Sequence, residues 1–234
     1  MMATLSDTTV VLPTLNEADN IRKVVGSLLG RYSKIHIIVA DDGSADGTVQ
    51  AVKRISLKNR NVRLLDRRNR PVHGLAASIM DAALLVRTPN MVVMDADMQH
   101  PVGKVGELAE KLSEAELVIG VRTRVRNWGF WRRLVSKTIS FTAYAVFKIR
   151  GKPTSNDMMS GFFAIKAGLL RDIVRKDRKG FVERGYKVLL DILKMAGSRT
   201  TIAEVNYSTF HDRTVGKSKL APRHMLYTLA SIFG

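Results

Sequence analysis

The sequence predicts an α/β fold: a mostly parallel central sheet with helices on both faces. Three observations carry that prediction. Through the first 120 residues, short apolar runs alternate with helix-length segments whose apolar residues repeat at helical spacing. The chain is 45% hydrophobic, enough to build a core, and 234 residues suit one α/β domain with an extension. It has no cysteine, so that core is not stapled by disulfides.

Each element follows in order. "TTVVLP" (Thr8–Pro13) reads as a buried strand. "NEADNIRKVVGSLLG" reads as a helix, with Ile21, Val24, Val25, Leu28 and Leu29 on one face and Asn16 as its N-cap. "IHIIVA" (Ile35–Ala40) is a second strand, and Val49, Val52 and Ile55 mark the helix after it. "VRLL" (Val62–Leu65) is a third strand, and Gly74–Val86 is an Ala/Leu-rich helix. "MVVM" (Met91–Met94) is a fourth strand, Val105, Leu108, Ala109 and Leu112 mark a helix, and "LVIG" (Leu117–Gly120) is a fifth strand. Strands alternating with helices imply βαβ units.

Past Gly120 the alternation fails. Arg122–Arg133 is basic and carries Trp128, Phe130 and Trp131. Leu134–Ile149 is apolar and of helix length, and reads either as a core helix or as a helix lying in a membrane interface. "SGFFAIK" reads as a strand, followed by helices near Gly168–Lys176 and Glu183–Met195. "RTTIAEVNYSTF" is a late strand, "HDRTVGKSKLAPR" a basic loop, and "HMLYTLASIFG" a helical pattern that reads as cut short. The expected division is one catalytic unit over 1–210, then a basic loop and the start of a membrane-proximal helix over 211–234.

The formal charge is +17, with 38 Lys+Arg against 21 Asp+Glu. Such an excess predicts an anionic partner: nucleic acid, an anionic membrane or a phosphorylated substrate. It is concentrated, since no acid lies between Glu116 and Asp157. The chain shows no secretory leader and no apolar run of 18 residues, so nothing in it must span a bilayer.

Ligands of open parallel sheets bind beyond the carboxyl ends of the strands. Here those ends are acidic: "PTLNE", "DDGSADGT" and "DADMQHP". Acids crowded on one edge persist when a cation or hydrogen-bond donors neutralise them. Asp95, Asp97 and Gln99 alternate, so in an extended segment they point the same way. Two carboxylates and an amide oxygen make a hard oxygen site suited to Mg2+ or Mn2+, with positions left for phosphate oxygens. The bland reading of Asp95 and Asp97 is capping before Pro101; that of "DDGS" is a turn; that of Glu17 is a helix-dipole partner. Asp41 sits where it can accept from a base or ribose. His36 reads as structural, and His100 as a residue that could support the acids from behind.

"VVLPTLNEADNI", "IIVADDGSADGT", "GLAASIMDA" and "VVMDADMQHP" together resemble the family-2 glycosyltransferases of the GT-A fold. The later "VIGVR", "NWGFWRRLVSK", "SNDMMSGFFAIK", "GYKVLLDIL" and "RTVGKSKL" resemble, within that family, the polyprenyl-phosphate sugar transferases of the dolichol-phosphate mannose synthase type. The similarity runs in unbroken order from about Val10 to Leu220.

The resemblance implies an inverting, metal-dependent transfer of mannose from GDP-mannose to dolichyl or another polyprenyl phosphate. UDP-glucose or another sugar nucleotide is the alternative donor. It implies that Pro13, Leu15 (often Tyr in the family) and Glu17 hold the nucleoside, with Asp41 and Asp42 facing it. Asp95, Asp97 and Gln99 would hold Mg2+ or Mn2+ against the diphosphate. Arg122 and Arg132 would clamp the acceptor phosphate. Asp157 matches the acid of the family's "DPxSGF", here without the Pro. Arg213, Lys217 and Lys219 would close over the phosphates. It also implies membrane association, with the active site on the cytoplasmic side. A basic nucleic-acid-binding protein is disfavoured, because no stacking or helix-turn-helix signature is present. A non-catalytic membrane adaptor is disfavoured by the intact Asp95, Asp97, Gln99, Arg122 and Arg132.

Overall fold

The computed structural model describes residues 3–124, 130–208 and 223–233. Strands are β1 (Ala3–Thr4), β2 (Thr8–Thr14), β3 (Tyr32–Ser33), β4 (His36–Asp41), β5 (Val62–Asp66), β6 (Asn90–Val93), β7 (Leu117–Arg124), β8 (Phe163–Lys166) and β9 (Ile202–Ser208). Helices are α1 (Ala18–Arg31), α2 (Thr48–Lys58), α3 (Leu75–Ala83), α4 (Val105–Glu110), α5 (Phe130–Ile149), α6 (Ala167–Lys176), α7 (Val188–Met195) and α8 (Arg223–Phe233). β1 and β3 form a two-residue parallel pair. The other seven make one sheet in the order β5-β4-β2-β6-β8-β7-β9, parallel except for β8.

Strand alternation divides the core into two faces. Val11, Ile38, Ala40, Met91, Val93, Leu117, Ile119, Phe163 and Ile165 face one cluster, shared with α3, α6 and α7. Val10, Leu12, Ile37, Val39, Val92, Met94, Val118, Phe162 and Ala164 face the other, shared with α1, α2 and α4. Pro13 sits inside β2, a central strand, where a missing N–H normally breaks a ladder. Here it costs nothing: β6 pairs with β2 only as far as Val11, so the side of β2 on which Pro13 lacks its N–H has no strand beside it.

Three expectations shift. Asn16 is not the N-cap of α1. Glu17 holds that position, and Asn16 takes a left-handed backbone (φ 53°). The helix expected over Glu183–Met195 is only α7. The carbonyls of Glu183 and Gly185 accept from the amides of Ala77 and Ala76 at the start of α3, so that segment caps a neighbour instead of coiling. Gly74 permits the approach, since a Cβ there would lie 2.4 Å from the Glu183 carbonyl oxygen. Finally, α5 spans Phe130–Ile149, more than the apolar stretch expected, and its Phe147 is fully buried.

The C-terminal helix folds back. Ile232 is buried in the first cluster, and Arg150 donates to the Ile232 and Phe233 carbonyls (both 3.2 Å), a cation at the end of α8.

Candidate active site

The strand order reverses between β4 and β6, on either side of β2, which is where ligands bind in open sheets. β2, β4 and β6 are parallel, so their following loops share one edge. β8 is antiparallel, so the residues before it, from Asp157 to Phe162, reach the same edge. The ends of β7 and β9 arrive there too, bringing Arg122 and Tyr207.

The first two loops are stitched together. The amides of Asn16, Glu17 and Ala18 donate to Ser44 Oγ (2.7 Å), Thr48 Oγ1 (2.9 Å) and Asp46 Oδ2 (3.0 Å), and Asn16 Oδ1 accepts from the amide of Ala45 (2.9 Å). Asp46 also accepts from Thr48, and these bonds outweigh burial to hold its carboxyl below the usual range. Leu15 stands exposed at the rim, and Glu17 accepts from the Asn20 side chain (2.9 Å).

The acids after β4 turn inward. Asp41 is fully buried and accepts from the amides of Gly43 (3.1 Å) and Ser44 (2.9 Å) and from the Ser44 hydroxyl (2.5 Å). Its carboxylate shapes the loop that follows β4. Asp42 accepts from Arg67, from the Gly74 amide (2.7 Å) and shares a bond with His73 Nδ1 (3.1 Å). Burial raises its pKa against the pull of Arg67. Arg67, itself buried, also donates to Asp81 (2.9 Å), Ser78 (2.9 Å) and the Val72 carbonyl (2.9 Å). Asp81 in turn binds Arg178 (2.8 Å), and Arg178 binds Glu183 (2.6 Å). Asp42 therefore anchors the 67–74 loop and, through Arg67, the segment that caps α3. Sequence reasoning missed Arg67; an arginine directly after an apolar strand was the available signal.

After β6 the chain bends. Met98 is left-handed (φ 64°), and the Gln99 amide donates to Asp97 Oδ1 (3.1 Å). The extended alternation expected from Asp95 to Gln99 is therefore interrupted, and the three residues share a tight loop instead. Asp97 is buried and Asp95 half-exposed. His100 bridges Asp95 Oδ2 (3.2 Å) and the Tyr207 hydroxyl (2.9 Å) while stacking on Phe162 at 5.1 Å. Burial pushes the Tyr207 phenol up, so it stays protonated. A phenol donating to His100 Nδ1 leaves the Nε2 proton for Asp95, which orients that carboxylate. Tyr207 was not foreseen.

Opposite stands a cationic wall. Arg122 Nε and Nη2 fork onto Asp157 Oδ2 (2.7 Å) and Oδ1 (2.8 Å). Burial opposes the Arg122 charge, but Asp157 outweighs it and raises the pKa. The fork spends two of the five guanidinium donors, so Arg122 is a partner of Asp157 and keeps three N–H groups besides. Ser160 donates to the Gly120 carbonyl (2.7 Å), and Gly161 packs on Asp95, where a Cβ would meet Oδ2 at 2.8 Å. Lys187, just before α7, donates to the Met159 carbonyl (2.8 Å). Burial and then Arg122 push it down to about 8, while Asp95 and Asp157 pull the other way.

The structure thus brings together Asp95, Asp97, Gln99, Arg122 and Asp157. The side chain of Arg132, and Arg213, Lys217 and Lys219 entirely, lie outside the described residues. Among the described residues no three His, Cys, Asp or Glu converge as a metal cluster. Two carboxylates with an amide oxygen still fit Mg2+ or Mn2+, which bind through one or two carboxylates and complete their shell with water and phosphate oxygens.

The sequence profile described as "Glycosyl transferase family 2" matches residues 9–176. The chain is 29% identical over 237 residues to the dolichol-phosphate mannosyltransferase of Saccharomyces cerevisiae, covering 95% of this chain and 84% of that one. It is 31% identical over 224 residues to the polyprenol monophosphomannose synthase of Mycolicibacterium smegmatis, covering 92% and 81%. The glucosyl-3-phosphoglycerate synthase of Mycobacterium tuberculosis, solved with UDP, superposes with a TM-score of 0.68 at 20% identity, over 96% of this chain and 78% of that one. The same enzyme solved with Mn2+, UDP-glucose and glycerol 3-phosphate gives 0.64 at 20% identity, over 95% and 75%. At that identity the likeness concerns the fold, a GT-A α/β fold.

Proposed function

The chain belongs to glycosyl transferase family 2, and from that premise we propose that it transfers mannose from GDP-mannose to the phosphate of a polyprenyl lipid such as dolichyl phosphate. Asp157 is the observation that carries the acceptor class. A hydroxyl acceptor needs a general base. The carboxylate on this wall is instead forked to Arg122, both its oxygens already accepting from the guanidinium. A phosphate monoester needs none: its second pKa is about 6, so it is largely ionised at neutral pH. The names of the relatives support the same acceptor and sugar.

The acceptor phosphate oxygen attacks the anomeric carbon while the bond to the nucleoside diphosphate breaks. The electron pair leaves with the diphosphate, no proton moves, and single displacement converts an α-linked donor into a β-linked product. The Thr14–Glu17 and Asp41–Gly47 loops form the floor under the nucleoside, with Pro13, Leu15 and Glu17 along it. Asp95, Asp97 and Gln99 would hold Mg2+ or Mn2+, as the Mn2+ complex of the M. tuberculosis enzyme supports. When bound, the cation neutralises charge developing on the leaving group. His100 and Gly161 fix Asp95 for that purpose. Arg122, Arg132, Arg213, Lys217 and Lys219 are proposed to gather round the phosphates, where planar guanidinium forks suit phosphate oxygens.

The lipid must be met at a membrane. No helix among the described residues is long and apolar enough to cross one. However, α5 exposes Phe141, Tyr144 and Ile149 beside Lys148 and Arg150, and α8, packed on it, exposes Leu226, Leu229 and Phe233. Such a face suits an anionic bilayer surface, each basic residue adding about 1 kcal/mol.

The test is a transfer assay in lipid vesicles containing a polyprenyl phosphate, Mg2+ or Mn2+, and a panel of sugar nucleotides. Metal-dependent mannolipid from GDP-mannose is expected. Product from UDP-glucose alone would replace the sugar, and a folded protein that makes no glycolipid from any donor would sink the reading.

A further inference from the structure

We propose that Lys187 is a phosphate-binding residue of this site, presenting its ammonium to a phosphate oxygen of the bound substrates; the inference rests on the reading above. Three observations support it. First, position: the Met159 carbonyl that accepts from Lys187 at 2.8 Å lies between Asp157 and Gly161, the residues that contact Arg122 and Asp95. Lys187 is close enough to feel the charges of Arg122, Asp95 and Asp157 together. It therefore stands near both the acidic loop and Arg122, beside the place proposed for the reacting phosphates.

Second, its bonding is unlike that of the other cations here. Arg67, Arg122 and Arg178 each bind a carboxylate directly. The Lys187 ammonium donates to a neutral carbonyl and lies 4.8 Å from the centroid of the Tyr186 ring. An ammonium has three donors, and the carbonyl takes one. A partly buried cation placed this way is stabilised by an anion arriving from outside.

Third, the nearby acids do not serve it. Asp157 is committed to Arg122. Asp95 belongs to the set that would hold the divalent cation. With that set occupied, the charge that balances Lys187 must come from the substrate. The ligand chemistry is a phosphate oxyanion, from either the acceptor monoester or the donor diphosphate.

The test uses the full chain, K187M and K187R. Binding of a short, soluble prenyl phosphate and of GDP with Mg2+ is measured by calorimetry, beside transfer by the wild type. K187M is expected to weaken one ligand by about 10- to 100-fold, the scale of a lost charge-assisted hydrogen bond, and K187R to recover most of it. Loss confined to the prenyl phosphate assigns the acceptor; loss confined to GDP assigns the leaving diphosphate. A folded K187M that binds both as the wild type does overturns the proposal. Should K187M not fold, 13C-labelled lysine in the wild type decides: the Cε resonance absent from K187R must move when either ligand is added, and a resonance that stays still overturns the proposal equally. Wild-type protein that makes no glycolipid, with K187M still losing phosphate affinity, would refute the transfer reading and leave this one standing.

Discussion

Replacing Asp157 by Asn removes the charge that holds Arg122 while keeping the shape of the side chain. The pair is mostly buried, with 21% of the Arg122 side chain and 11% of Asp157 exposed, and its two bonds are 2.7 and 2.8 Å. Breaking a fully buried pair costs about 3–5 kcal/mol, and an exposed one under about 1 kcal/mol. Asn still accepts one hydrogen bond, so D157N should cost about 2 kcal/mol, and R122M a similar amount. The assay is urea unfolding at 25 °C with unchanged slopes, closed as a cycle with the double variant. The double variant should be less harmed than the sum of the singles by at least about 1 kcal/mol, because each single strands a partner. Transfer should fall in D157N, since the 157–161 turn that positions Gly161 against Asp95 loosens. The opposite result is just as specific. If Arg122 acts mainly as a bare phosphate clamp, D157N frees its fork, stability barely changes and phosphate binds more tightly. That outcome would refute the assignment of Asp157 as a lock.

Other perturbations follow the same logic. G161A places a Cβ 2.8 Å from Asp95 Oδ2; Mn2+ affinity, read by titration without substrate, should fall about 10-fold or more with the fold intact, and unchanged affinity would remove Asp95 as a ligand. R67M strands Asp42 and Asp81 and should cost about 3 kcal/mol in urea unfolding; a loss below about 1 kcal/mol would mean the 67–74 loop stands without it. Lys187, pushed down to about 8 from 10.5, binds fewer protons folded than unfolded between those values. Stability of the ligand-free protein should therefore rise with pH through that window, by up to about 3 kcal/mol. K187M should flatten that rise and be the more stable protein below pH 8; a wild-type curve with no such rise contradicts the placement of Lys187.

Most of the sheet was legible because buried strands announce themselves. Val10–Leu12, Ile37–Ala40 and Met91–Val93 are apolar on both faces, and only a strand covered on both sides needs that. The acidic strand ends were legible as a group for the same reason: carboxylates directly after such strands must share one edge. What each acid does was not legible. Asp41, Asp42 and Asp157 look alike in sequence, yet one folds its own loop, one anchors Arg67 and one locks Arg122. Their partners lie 3, 25 and 35 residues away, and only the last two separations depend on tertiary packing. Lys187 and Tyr207 were missed because they arrive from the C-terminal third, in segments whose local pattern says only helix or strand. The Glu183–Gly185 segment was misread as helix because its carbonyls are claimed by α3, a competition invisible to periodicity.

The antiparallel β8 explains how a single edge can hold both signs of charge. Were β8 parallel, the Asp157–Gly161 turn would fall at the opposite edge, and Arg122 would reach the acidic edge without its carboxylate partner. Reversing that one strand sets the turn beside Asp95 and, through Asp157 and the Met159 carbonyl, fastens Arg122 and Lys187 beside it. Glycosyl transfer between two phosphate groups suits such a layout. A cation held by carboxylates must meet phosphate oxygens on one side while other cations hold them on the other, without the two protein sets collapsing together. The locked Arg122–Asp157 pair serves that separation: the fork fixes the guanidinium in place, within reach of the Asp95 charge. On the proposed function, a divalent cation and the substrate phosphates would together fill the space between the two.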